Sequence, residues 1–297
     1  MINQYKQSII RSYEDTGIIN ISDGIHYPPK QLLVDILELI KEILFPGFFG
    51  TVALKDADLD VLLEKRLIQL QEYLIPEVFK CLYWNPEQDL VISEDKAKQL
   101  ADDIVYGFFD LIPSLRLLLK YDANAIYQAD PAAKSLIEVI LSYPGFQAVM
   151  VYRIAHYFYQ KDVPLIPRMF TEIVHFQTAI DIHPGATIGE SFCIDHGTGI
   201  VIGETAVIGK HVMLYQGVTL GAFSTKDVDV AKKRHPTIED GVTIYSMSTI
   251  LGGDTVVGAH SVVGGNVWLT RSIPANSKIY LSEDFNTTYR LVTKDST

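Results

Sequence analysis

Three short stretches hold the residues best suited to chemistry: Asp181-Ile182-His183-Pro184, Asp195-His196-Gly197-Thr198-Gly199 and Arg234-His235-Pro236. A hydroxyl is a poor nucleophile at neutral pH and needs a base beside it. Neutral imidazole can take that proton, and a carboxylate on its far nitrogen fixes tautomer and orientation. No Ser or Cys stands in an activated setting, so a covalent enzyme intermediate is not expected. Cys81 and Cys193, two cysteines in all, cannot form a disulfide framework or a multi-cysteine zinc site. Cys193 reads as small apolar filler.

The elements that must position these residues are set by a six-residue repeat from about 180 to 271. Every sixth residue gives Ile182, Ile188, Ile194, Ile200, Ala206, Val212 and Val218, and then Ile238, Ile244, Ile250, Val256, Val262 and Trp268. Glycine recurs three residues later, and Thr or Ser stands just before the later members. A period of six matches neither a helix nor an alternating strand. It matches a solenoid in which each short strand supplies one inward β-branched residue and a glycine-assisted corner follows. Three faces close one coil, so a parallel β-helix is expected, with coils ~4.8 Å apart. Asp181 and His196 lie fifteen residues apart. That is three short of an eighteen-residue coil, which makes contact between them possible. Between Val218 and Ile238 the repeat is broken by fourteen extra residues, about Ala222 to His235, and long loops in regular scaffolds tend to be functional.

Upstream the spacing is helical. Residues 1 to about 27 read as a loosely packed lead-in. Helices are expected from Pro29 to Leu44, Leu59 to Leu74, Pro76 to Trp84, Ser93 (an N-cap) through Val105, Leu111 to Tyr121, Lys134 to Leu141 and Val151 to Tyr159, then a short one before Ile180. Asn85-Pro86 reads as a turn. The expected division is an all-α assembly domain (1–178), a β-helix (179–275) with an inserted loop at 222–236, and a polar tail (276–297). The fold class is therefore α+β.

Net charge of −11 argues against a nucleic-acid partner. Hydrophobic content of 48% with 21% charge marks an ordered globular chain. No signal-peptide pattern opens the sequence and no apolar run approaches a bilayer span. The expectation is a cytoplasmic protein without membrane contact.

The runs DIHPGATIG, IDHGTGIVIGETAVIG, VTLGA and KRHPTI, in this order, resemble serine O-acetyltransferase, a hexapeptide-repeat acyltransferase of cysteine biosynthesis. The resemblance reaches back through Tyr152-Arg153-Ile154-Ala155-His156 and Asp130-Pro131-Ala132. It implies a left-handed parallel β-helix and an acetyl transfer from acetyl-CoA to L-serine. It makes His196 the general base with Asp181 as dyad partner. Asp130 and Asp195 would hold the serine ammonium and Arg234 its carboxylate, while His235 would bind serine and stabilise the oxyanion. Those charges suit an amino-acid zwitterion. Acetyl-CoA would touch Gly221, Ala222, Ser246 and Gly264, where Ala222 and Tyr245-Ser246 replace the family's Gly and Gly-Ala. No metal is expected. The resemblance also implies a homotrimer or a dimer of trimers with sites between subunits, and feedback inhibition by L-cysteine. Partner-docking members end in Ile, whereas this chain ends Lys294-Asp295-Ser296-Thr297, which argues against a complex with cysteine synthase.

Bland roles compete for the same residues. Asp130-Pro131 matches a helix N-cap with a first-turn proline, Asp195 could bond turn backbone, and Lys232-Lys233 could be a solvated charge run. His183 reads as structural. Three other functions are weighed: a hexapeptide acyltransferase with another hydroxyl acceptor such as a sugar, a zinc hydratase, and a non-catalytic scaffold. Asp130, Asp195 and Arg234 disfavour a neutral sugar. The spacing of His183, His196 and His211 does not obviously supply a three-histidine zinc site.

Overall fold

A computed structural model describes residues 2–16, 27–50, 58–83, 92–223, 232–282 and 289–292. Among them are seven helices: α1 (Ile2–Thr16), α2 (Lys30–Leu44), α3 (Leu59–Tyr83), α4 (Glu94–Ala129), α5 (Leu136–Ser142), α6 (Pro144–Gln160) and α7 (Ile166–Thr178). None is long and apolar enough to cross a membrane. The expected lead-in is instead helix α1, whose Ile2, Tyr5, Ile9 and Tyr13 are exposed.

Two expected breaks are absent. Pro76 lies inside α3, and α4, which also contains Pro113, runs through the gap expected between Val105 and Leu111, so each pair of expected helices is one continuous helix. An interior proline costs about 3 kcal/mol. Burial of Leu74 and Val78 around the first, and of Ile112 and Leu115 around the second, offsets that. Ser93 caps α4 as expected, its hydroxyl accepting from the Lys96 amide at 3.4 Å. Trp84 and the Asn85-Pro86 turn fall outside the described residues.

The solenoid follows α7 directly. Its first sheet stacks β1 (Ile180–Ile182), β4 (Ile200–Ile202), β7 (Thr219–Gly221), β10 (Thr249–Leu251) and β13 (Trp268–Leu269). The second stacks β2 (Thr187–Ile188), β5 (Val207–Ile208), β8 (Thr237–Ile238) and β11 (Val256–Val257). The third stacks β3 (Cys193–Asp195), β6 (Met213–Tyr215), β9 (Thr243–Ile244), β12 (Val262–Val263) and β14 (Lys278–Leu281), and ends in β15 (Tyr289–Val292). All pairings are parallel except β14 with β15. The stretch expected as a polar tail thus contributes a hairpin to the third sheet.

The register corrects the expected inward column. Ile182, Ile188 and Ile194 face Ile202, Ile208 and Leu214, a spacing of twenty residues, because DHGTG adds two residues to its corner. Ile250 faces Leu269 and Ile238 faces Val257, a spacing of nineteen. The added residue there falls at the corner of Gly252, whose φ is +101°. The buried column therefore continues through Ile202, Ile208, Leu214 and Leu220 to Val257, Val263 and Leu269, and on to Ile273 and Ile279. Ile200, Ala206, Val212 and Val218 are buried in a second row two residues earlier, and Trp268 points outward at 56% exposure. Counted from Leu220 to Ile238, which share the true column, the loop adds twelve residues rather than fourteen.

Helix α6 couples the two halves. It packs on α4, α7, β1 and β3, and its polar residues reach into the first coil. Tyr152 donates to the Ala186 carbonyl at 2.5 Å, Arg153 to those of Ile188 and Gly189 at 3.2 and 2.7 Å, and His156 Nδ1 lies 2.7 Å from that of Pro184. Gly145 at the start of α6 has no room for a side chain, since a Cβ would stand 2.4 Å from the Ile194 carbonyl oxygen. That contact sets α6 directly against the strand ending in Asp195.

Candidate active site

The sequence-predicted residues gather at two corners of the triangle, separated by the first sheet. The corner where the third sheet turns into the first holds Asp195 and His196. Corners of this solenoid repeatedly use left-handed backbone, and His196 takes it with φ 57°. Its side chain is 69% exposed and its Nε2 lies 4.0 Å from Asp195 Oδ1.

Asp130 is brought to this corner by the helices. It is the C-cap of α4, not the N-cap that the following proline suggests. One carboxylate oxygen accepts from the Ala132 amide at 2.8 Å and the other from the Tyr143 hydroxyl at 2.6 Å. Those two bonds hold its carboxyl below the usual range, with a smaller contribution from His196. The same bond pushes the Tyr143 phenol up to about 12. Tyr143 is a residue the sequence reading missed. Its position just before the Pro144-Gly145 start of α6 was the available signal.

The corner where the first sheet turns into the second holds the Arg234-His235 pair. Both backbone amides donate to Thr205 Oγ1, at 2.9 and 3.0 Å. His235 is buried, and its Nδ1 accepts from the Thr205 amide at 3.0 Å. With Nδ1 an acceptor, the neutral ring carries its proton on Nε2. Burial, then the charge of Arg234, pulls its pKa down to about 4, so the ring is neutral at physiological pH. Gly203 lies directly beneath it, since a Cβ there would fall 2.1 Å from Nε2.

Arg234 forms an ion pair with Glu204, which also accepts from the Tyr159 hydroxyl of α6 at 2.7 Å. Burial pushes the Glu204 carboxyl up, but these two bonds outweigh it and the net shift is downward. Glu204, Thr205 and Tyr159 were not foreseen. Their partners lie some thirty to forty-five residues away in sequence. Lys233 is exposed, as a solvated charge would be, but its ammonium also donates to the carbonyls of Thr205 and His235 at 2.9 and 2.8 Å.

Asp181 and His196 are not in contact. Asp181 lies on the flat of the first sheet, 3.6 Å from Arg168 of α7, whereas the corner geometry throws the His196 ring outward. The four positions expected to touch acetyl-CoA divide in the same way. Gly221 and Ala222 leave the first sheet toward the Arg234 corner, and Ser246 shares the His196 corner. Gly264 is buried, with Tyr280 over it at 2.6 Å from a notional Cβ. Cys193 is buried as expected, and burial raises its thiol to about 12. His183, His196 and His211 do not converge on a metal position among the described residues.

A helical region feeding a parallel solenoid, with imidazoles and carboxylates at its corners, defines an acyltransferase of the hexapeptide-repeat class. The family description "Serine acetyltransferase, N-terminal" matches residues 90–150. A plasmid-encoded serine acetyltransferase of Synechococcus elongatus is 43% identical over 268 residues, covering 85% of this chain and 81% of that one. A Bacillus licheniformis serine acetyltransferase is 48% identical over 135 residues, 46% of this chain and 61% of its own. The crystal structure of Entamoeba histolytica serine acetyltransferase isoform 3 in complex with cysteine superposes with a TM-score of 0.72 at 36% identity, over 95% of this chain and 92% of that one. The chain belongs to the serine acetyltransferase family.

Proposed function

We infer that the chain transfers an acetyl group to the hydroxyl of L-serine, giving O-acetyl-L-serine, with acetyl-CoA as donor. The observation that carries the mechanism is the division of charge between two corners. Asp130, Asp195 and an exposed imidazole occupy one, and a guanidinium beside a neutral imidazole occupies the other. Joined, they match an amino-acid zwitterion whose alcohol must lose a proton. A neutral sugar carries neither an ammonium for the carboxylates nor a carboxylate for the guanidinium, so this charge pattern would add nothing to its binding.

The two corners lie on different edges of one prism, so a complete site needs the His196 edge of one copy against the Arg234 edge of another. This supports a homotrimer of solenoids with shared sites, and the helical regions could pair two trimers. In that site His196 takes the serine hydroxyl proton as the oxygen attacks the thioester carbonyl. The His235 Nε2–H donates to the oxygen that becomes negative. Collapse breaks the carbon–sulfur bond, and the proton passes from His196 to the departing thiolate. Asp181 orients His196 once assembly or substrate draws the two together. L-Cysteine differs from serine by sulfur for oxygen, so it would fill the same pocket and inhibit, as its presence in the amoebal structures suggests.

The test is serine-dependent release of free thiol from acetyl-CoA by the wild type and by His196→Ala. A variant with near wild-type turnover would remove His196 from the base role. An acceptor screen in which a sugar outcompetes serine would overturn the substrate.

A further inference from the structure

We propose that Glu172, His175 and Asp181 form a binding site for a divalent transition-metal ion such as zinc, and that occupancy inhibits the enzyme. Glu172 and His175 are three residues apart on α7 and so share a face. The αL cap at Ala179 turns the chain into β1, which brings Asp181 back against that face. The ligand atoms of the three side chains all lie within 4.8 Å of one another. His175 Nδ1 is already 3.2 Å from Glu172 Oε2, about the separation of two ligands on one zinc ion with bonds of roughly 2.0–2.2 Å. One imidazole and two carboxylates are a donor set for zinc, cobalt or manganese rather than magnesium or calcium.

A cation already sits there. Arg168, one turn earlier on α7, bonds Glu172 and lies 3.6 Å from Asp181. Its side chain is 44% exposed, so it can swing into water when a metal takes its place. The cluster is half exposed rather than sealed, so ions can enter without unfolding. The inhibitory part rests on the reading of Asp181 as partner of His196, because a metal-bound carboxylate cannot also orient that imidazole.

Titration of the full chain, free of any affinity tag, with cobalt(II) should give visible absorption bands and saturate at one ion per chain, with zinc displacing it. His175→Ala should weaken binding by about tenfold or more, and Arg168→Gln, which removes the competing cation, should tighten it. The absence of saturable cobalt binding, or undiminished binding by His175→Ala, would overturn the site. Zinc should slow serine-dependent thiol release by the wild type and spare His175→Ala. Zinc that binds at this cluster yet leaves turnover unchanged would take Asp181 out of the catalytic machinery while leaving the metal site standing.

Discussion

Arg153 of α6 and Asp122 of α4 form a two-pronged ion pair sealed from solvent, with Nε to Oδ2 at 2.6 Å and Nη2 to Oδ1 at 2.8 Å. Asp122 also accepts from the Phe192 amide at 2.9 Å, so the pair ties two helices to the corner that leads into β3. Burial pushes the Asp122 carboxyl up, against the pull of Arg153. Removing one partner strands the other charge, so Arg153→Ala should lose about 3–5 kcal/mol in urea unfolding. Arg153→Met with Asp122→Leu should recover part of that. It cannot recover all, because the carbonyls of Ile188 and Gly189 stay without their donor.

Tyr143→Phe removes the hydroxyl that aims Asp130 while leaving the ring. The expected result is a several-fold rise in KM for serine with kcat little changed, read from initial rates over a serine series. An equal fall in kcat would mean that Asp130 acts on the reacting atoms instead.

Gly203→Ala should displace the His235 ring. Turnover should fall while the solenoid persists, checked by circular dichroism alongside the thiol assay. An alanine variant with normal kcat would show that the His235 position is not critical.

Sites shared between copies predict complementation. Chains of His196→Ala mixed equally with chains of His235→Ala and reassembled should regain about one quarter of wild-type sites, since each junction needs one intact residue from each neighbour. No recovery from a well-mixed sample would confine the site to one chain.

His156, His183 and His235 all have pKa values pulled down, chiefly by burial. Below the unfolded value of about 6.5, the unfolded chain binds protons that the folded chain resists. Stability is therefore full above that pH and is lost as pH falls from there towards about 4, the value to which its surroundings pull His235. Urea midpoints against pH should show this slope, and His235→Asn should flatten it.

Periodicity made the solenoid legible, because a β-branched residue every six positions suits hardly any alternative architecture. It could not show where the period slips. The two residues added at DHGTG and the one at Gly252 change which side chains face inward without breaking the apolar pattern. Pro76 misled because its local cost is visible in sequence and the tertiary burial that offsets it is not. The chemical motifs stood out through Asp195-His196 and Arg234-His235. Their supports, Tyr143, Thr205 and Glu204, are ordinary residues whose role exists only once distant segments meet. Besides the place of Tyr143 before Pro144-Gly145, the polar face of α6 was readable: Tyr152, Arg153, His156 and Tyr159 share one side of a helix otherwise rich in apolar residues.

The antiparallel hairpin of β14 and β15 has a consequence for solubility. A parallel spiral could in principle lengthen without limit by accepting another molecule's strands at its open rim. Here the last rung of the third sheet is occupied by a segment running the opposite way, and the first rung is covered by α6 and α7. The third sheet is thereby closed to end-to-end pairing with another copy's strands, while β13 and β11 are the last described strands of the other two sheets.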